Sequence, residues 1–114
     1  MILSDIPKVL DGKVVCGEAR LNEEVAFAFA SDMMSDVLTL QAHKFLLLTG
    51  LANVQTIRTA EMADIAYIVL VRNKKATQEI LELARENNQV IIECPFSMFK
   101  ACGILFQAGF KPLY

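Results

Sequence analysis

Phe45-Leu46-Leu47-Leu48-Thr49-Gly50, Ala66-Tyr67-Ile68-Val69-Leu70-Val71-Arg72 and Val90-Ile91-Ile92-Glu93-Cys94-Pro95 decide the fold of this chain. Each is an apolar run of strand length. Each ends on a polar residue, a glycine or a proline and leads into a stretch with helical periodicity. Strands buried on both faces read as continuous apolar runs rather than alternating ones. Alternation of such strands with amphipathic helices specifies an α/β domain, a mostly parallel sheet with helices on both faces. Residues 13–16 and 23–30 add two more strands, giving about five. In a parallel sheet the carboxyl ends of the strands gather along one edge, where ligands bind.

Working outward, Ser4 is placed to cap a first helix over residues 5–10, which Asp11-Gly12 ends. The strand at 23–30 sets Val25, Phe27 and Phe29 on one side and Ala26, Ala28 and Ala30 on the other. Ser31-Asp32 closes it and can cap a helix over 33–42. A helix over 53–62 turns Val54, Ile57 and Met62 inward. Another over 76–86 buries Ile80, Leu83 and Ala84 and leaves Gln78, Glu79, Glu82, Arg85 and Glu86 in water. Ser97 can cap a last helix reaching Ala108, and Gly109 ends it. No repeat, low-complexity segment or linker interrupts the 114 residues, which form one domain, 1–114.

The composition is 54% hydrophobic and the mean hydropathy is +0.41. A domain of this size buries only roughly 65% of its unfolded surface, so some apolar material must find cover elsewhere. No stretch reaches the ~20 apolar residues of a membrane span, and Met1-Ile2-Leu3-Ser4-Asp5 has neither the basic flank nor the apolar core of a signal peptide. A homodimer is therefore expected. The last helix is where the excess lies: Lys100 and Gln107 are its only strongly polar side chains between Met98 and Ala108. Met98, Ala101 and Leu105 are the interface residues this predicts. The net charge of −2 and a pI near 5.3 oppose nucleic-acid binding. Cys16, Cys94 and Cys102 form no C-x-x-C pair and read as reduced structural thiols of a cytoplasmic protein.

Chemistry-bearing residues cluster at the predicted strand ends. Arg72-Asn73-Lys74-Lys75 follows the central strand and opens a helix. Lysines in a first helical turn oppose the helix dipole at a cost of about 0.3–1 kcal/mol each, and a bound anion would reverse that sign. Thr49-Gly50, with Asn53 just beyond, is a turn where backbone N–H groups can approach a ligand, although the second glycine and the Lys-Ser/Thr pair of a P-loop are missing. Asp32 and Asp36 can hold a cation or a ribose, or serve as caps. Ser97-Met98-Phe99-Lys100 matches S-x-x-K, but the S-D-N and K-T-G elements of serine acyl-enzymes are absent, and Ser97 reads as a helix cap. His43 is the single histidine and has no ligand-like neighbours in sequence, so no metal or cofactor is expected. No nucleophile–base pair supports an enzyme.

Several segments resemble the DRTGG domain, which is similar to the N-terminal domain of HPr kinase/phosphorylase. They are Leu3-Ser4-Asp5-Ile6 with Gly12-Lys13-Val14-Val15 and Gly17, then Ala28-Phe29-Ala30-Ser31-Asp32-Met33-Met34-Ser35-Asp36-Val37-Leu38, then Leu48-Thr49-Gly50 and Cys94-Pro95-Phe96-Ser97-Met98-Phe99-Lys100-Ala101. Where the family shows Asp-Arg, this chain has Leu51-Ala52. Where it shows Thr-Gly-Gly, this chain has Val71-Arg72-Asn73. The resemblance implies a regulatory or sensing module, found fused to CBS domains or to phosphate acetyltransferases or standing alone, without catalysis. Residues and resemblance together give the expectation: a small anionic metabolite or nucleotide held at the strand-end edge by Asp32, Thr49, Gly50, Asn53, Arg72, Asn73, Lys74 and Ser97, or else a protein–protein interaction domain with no ligand and a protein partner.

Overall fold

The computed structural model describes residues 1–42 and 44–114. The chain opens with a 3-10 turn over Leu3–Asp5 and helix α1, Ile6–Leu10. Strand β1 is Lys13–Cys16, β2 is Phe27–Ala30, and a short α2, Met34–Val37, precedes β3, Leu46–Thr49. Then follow α3 (Val54–Met62), β4 (Tyr67–Leu70), α4 (Gln78–Glu86), β5 (Val90–Glu93), α5 (Met98–Gln107) and β6 (Lys111–Pro112). The six strands form one sheet in the order β1-β5-β4-β3-β2-β6. All neighbours are parallel except β1, which runs antiparallel to β5.

The winding follows from this order. From β2 to β5 each strand takes its place on the same side of the last, and right-handed crossovers therefore put α2, α3 and α4 on one face. After β5 the chain crosses to β6 at the far side of the sheet, so α5 lies on the opposite face, beside α1. The core divides accordingly. Val37, Ile57, Ala60, Ile80 and Ala84 pack on Leu47, Ile68, Leu70 and Ile91. On the other face Ile6, Leu10, Ala101, Leu105 and Phe110 pack on Leu46, Leu48, Val69, Val90 and Ile92. Every residue of β3, β4 and β5 is buried, which is why these runs carry no polar alternation.

Several local expectations are corrected. A sixth strand exists, and at two residues β6 is too short to show a period. Ser4 is not a cap; it lies in the 3-10 turn, and its N–H donates to Leu21 O. Only Phe27–Ala30 of the 23–30 stretch is strand. Val25 precedes it and packs with the α1/α5 cluster, opposite Phe29, because strand alternation does not extend through it. The 33–42 helix shrinks to one turn, and Ser31 Oγ accepts the Met33 N–H ahead of it. Met62 is 64% exposed: five residues beyond Ile57, it sits about 140° around the helix.

The last helix departs most. Ala101 and Leu105 are 0% and 1% exposed within the chain's own core, while Phe99 and Phe106 are 91% and 69% exposed. Ala101 and Leu105 are therefore not surface available to a partner, and α5 is not apolar-buried all round. Composition measured how much of the helix was apolar but not which side faced the sheet. Gly103 lies between the two phenylalanines with open space around its Cα.

Candidate ligand site at the carboxyl edge of the sheet

The parallel strands β2, β3, β4 and β5 bring the residues after Ala30, Thr49, Leu70 and Glu93 to one edge. Here β4 exits to the α4 face and β5 exits to the α5 face. Adjacent strands whose connections leave in opposite directions make the crevice where α/β sheets take ligands. Ladder bonds run to this edge: Ser31 N–H to Leu48 O at 3.0 Å, Val71 N–H to Thr49 O at 2.9 Å and Cys94 N–H to Leu70 O at 2.9 Å.

At the centre is the Gly50 peptide. Its N–H donates to Asp32 Oδ1 at 2.6 Å, and the buried Thr49 hydroxyl donates to the same oxygen at 3.0 Å. Its carbonyl accepts from Arg72 Nη2 at 3.3 Å. The guanidinium lies so close over Gly50 that an added Cβ would stand 2.8 Å from Nη2 and 2.9 Å from Cζ. Glycine is needed here for that approach. Arg72 itself is exposed, and among the described residues it has no carboxylate partner.

The loop after β4 is held to the loop after β5. Arg72 N–H donates to Phe96 O at 2.7 Å and Asn73 N–H to Cys94 O at 3.0 Å. Both residues are left-handed, with φ of 63° and 60°. That conformation costs a non-glycine residue roughly 1–2 kcal/mol. The paired hydrogen bonds hold it in place.

Asp32, Thr49, Gly50 and Arg72 are thus brought together, Asn73 is tied to Cys94 O through its backbone N–H, and Ser97 only follows Phe96, whose carbonyl accepts the Arg72 N–H. The expected backbone donors are taken up internally, however. Gly50 N–H serves Asp32. Asn53 caps α3, accepting from Thr56 N–H at 2.8 Å and from the Thr56 hydroxyl at 3.0 Å. Ser97 Oγ accepts from Lys100 N–H at 3.2 Å, the cap reading of the S-x-x-K match. Lys74 and Lys75 do not sit in a first helical turn: α4 starts at Gln78, and the Thr77 hydroxyl caps it by accepting from Ile80 N–H at 3.2 Å. Asp32 does not cap α2, and Asp36 lies exposed within that helix.

Sequence reading missed two contributors. Glu93 is 9% exposed at the end of β5; it accepts the Ala76 N–H at 2.8 Å and lies 3.8 Å from Lys75 Nζ, tying down the lysine loop. Its signal was present, as the one charge in an otherwise apolar run. Lys100 Nζ stands 3.9 Å from the centre of the Phe96 ring, placing a further cation beside the β5–α5 turn. Arg72, Lys74, Lys75 and Lys100 thus gather on the segments that follow β4 and β5, with Lys75 set against Glu93.

Cys16 and Cys94 are buried and Cys102 is half-buried; burial raises the pKa of all three thiols. Among the described residues no cluster of histidine, cysteine and carboxylate side chains could hold a metal ion, and no helix is long and apolar enough to cross a membrane. His43 lies outside the described residues.

A mostly parallel α/β domain with a charged strand-end edge is the class this arrangement defines. The model of the DRTGG domain matches residues 5–108, and the chain belongs to that family. Among solved structures it is similar to the CBS and DRTGG domains of the regulatory region of Clostridium perfringens pyrophosphatase, complexed with the activator diadenosine tetraphosphate. The match has a TM-score of 0.75 at 17% identity over 94% of this chain and 46% of that one. The chain therefore spans less than half of that relative. No curated protein matches it in sequence.

Proposed function

We propose that this chain is a non-catalytic regulatory module that binds a small phosphate-bearing metabolite or nucleotide at the carboxyl edge of the sheet. The observation that carries this reading is the Arg72 guanidinium, held from the end of β4 over the Gly50 turn that follows β3, with no carboxylate partner among the described residues. An unpaired, pre-positioned guanidinium is suited to phosphate. Its side chain and those of Lys74 and Lys100 would make the contacts, since the nearby helix ends are already capped. The DRTGG family and the activator-bound relative support a regulatory role, with the ligand named for that larger protein. Catalysis has no support here: the Thr49 hydroxyl is fully buried and that of Ser97 is a cap.

A thermal-shift screen with nucleotides, diadenosine tetraphosphate and phosphorylated metabolites tests it. A ligand at 100 times its dissociation constant adds about 2.7 kcal/mol of stability. Arg72→Ala should weaken that ligand by about one to two orders of magnitude, the worth of a charge-assisted hydrogen bond. A flat panel, or an Arg72→Ala variant that binds normally, would overturn the assignment.

The second reading is self-association without a ligand. Phe99, Gly103 and Phe106 recur at i, i+4 and i+7 on the outward side of α5, an apolar stripe with a glycine at its middle. Such a stripe suits close packing against the same helix of a second copy. Light scattering at micromolar concentration should show a dimer that Phe99→Glu dissociates without unfolding; a wild-type monomer would end this reading.

A further inference from the structure

We infer that the edge site recognises a phosphate ester bearing neighbouring hydroxyl groups, the chemistry of a sugar phosphate or of the ribose end of a nucleotide. The inference rests on the reading above that Arg72 takes an anion, and it assigns the second half of the site to Asp32.

Asp32 and Arg72 hold opposite ends of one residue. Gly50 donates its N–H to Asp32 Oδ1 and offers its carbonyl to Arg72 Nη2. The two side chains are therefore fixed about one residue's width apart, and they do not pair with each other. Oδ1 of Asp32 is occupied by two donors, the Thr49 hydroxyl and the Gly50 N–H. Those bonds fix the carboxylate's orientation. Its other oxygen, Oδ2, takes no partner among the described residues, and the residue is exposed. A carboxylate oxygen only accepts hydrogen bonds. It repels phosphate, so its natural partners are neutral donors such as hydroxyl groups. A guanidinium and an oriented carboxylate at this separation match a ligand whose phosphate and hydroxyls are a few bonds apart. A site meant for bare phosphate would gain nothing from an anion locked beside its arginine.

The test is an NMR titration of the full chain with glycerol 3-phosphate and with propyl phosphate. These share charge and carbon chain and differ only in two hydroxyl groups. Glycerol 3-phosphate should bind about tenfold or more tightly, since a site built for a hydroxyl loses a charge-assisted hydrogen bond without it. Asp32→Asn keeps an oxygen for Thr49 and Gly50 but replaces the charged acceptor Oδ2 by a neutral amide, and should cut the preference between the two esters severalfold. Equal binding by the wild type, or a preference undiminished in Asp32→Asn, would overturn the inference. If both esters and inorganic phosphate bind alike, the anion site stands and hydroxyl recognition fails. If none of the three binds, the anion site itself fails. Should Asp32→Asn not fold, the wild-type comparison decides alone. Adenosine 5′-monophosphate titrated beside ribose 5-phosphate then identifies the source: tighter binding of the former points to a nucleotide, equal binding to a sugar phosphate.

Discussion

Each end of the sheet carries an arginine on a backbone carbonyl, and the two are used in opposite ways. At the amino edge Arg20 donates from Nε and Nη2 to the two Glu23 oxygens at 2.9 Å each, donates from Nη1 to Asn88 O at 2.6 Å, and lies 5.3 Å from the centre of the Tyr67 ring. The Tyr67 hydroxyl donates to the same carboxylate. This Arg20–Glu23–Tyr67 latch joins the segment before β2 to the start of β4 and to the turn before β5. At the carboxyl edge Arg72 has one neutral carbonyl, in a left-handed backbone that a glycine would adopt with less strain. A bidentate, ring-covered arginine is committed to the fold. An arginine kept in a strained turn for one weak internal contact is available to something else.

The comparison breaks most visibly under side-chain removal. Tyr67 is 3% exposed and central to the core, so Tyr67→Ala should lower unfolding free energy by about 3–5 kcal/mol. Arg72→Ala should stay within about 0.5 kcal/mol of wild type, as an exposed residue does. Urea denaturation of both variants checks this, and similar losses in the two would erase the distinction between a structural and an available arginine.

Acid sharpens it next. The Arg20 hydrogen bonds, and after them the Tyr67 hydroxyl, lower the Glu23 pKa from 4.5 to about 2. A depressed carboxyl pKa stabilises the fold above the unfolded value and loses that contribution as pH falls through the folded one. The latch should thus weaken between pH 4.5 and about 2. In that window wild-type stability should fall more steeply than that of Glu23→Gln, measured by denaturation across pH. Parallel curves would mean the latch carries no net charge effect.

The smallest effect tests the strain at the other edge. Arg72→Gly and Arg72→Ala remove the same cation, but only glycine relieves the left-handed backbone. The glycine variant should be more stable than the alanine variant by roughly 0.5–1 kcal/mol, the left-handed cost less the entropy of a freer chain. Equal melting of the two would show that the turn is unstrained.

The sequence by itself determined the architecture. Runs such as Tyr67 to Val71 are apolar at every position, which only a strand covered on both faces requires, and the Ser97 cap was legible as a side chain that accepts an N–H three residues on, whereas the caps Asn53 and Thr77 emerged only in the structure. The sequence also placed Asp32, Thr49, Gly50 and Arg72 at a common edge, because parallel strands share a direction. Tertiary structure alone decided the rest. Which side of α5 meets the sheet depends on the crossover after β5, so Ala101 and Leu105 went inside and Phe99 and Phe106 outside. Whether a donor is free depends on partners far along the chain: Asp32 claims the Gly50 N–H, and Glu93 claims that of Ala76. The Arg20–Glu23–Tyr67 latch left no local trace, since Tyr67 lies 44 residues from Glu23. Periodicity is a local property of a chain, whereas the pairing of charges is set by where the strands bring them.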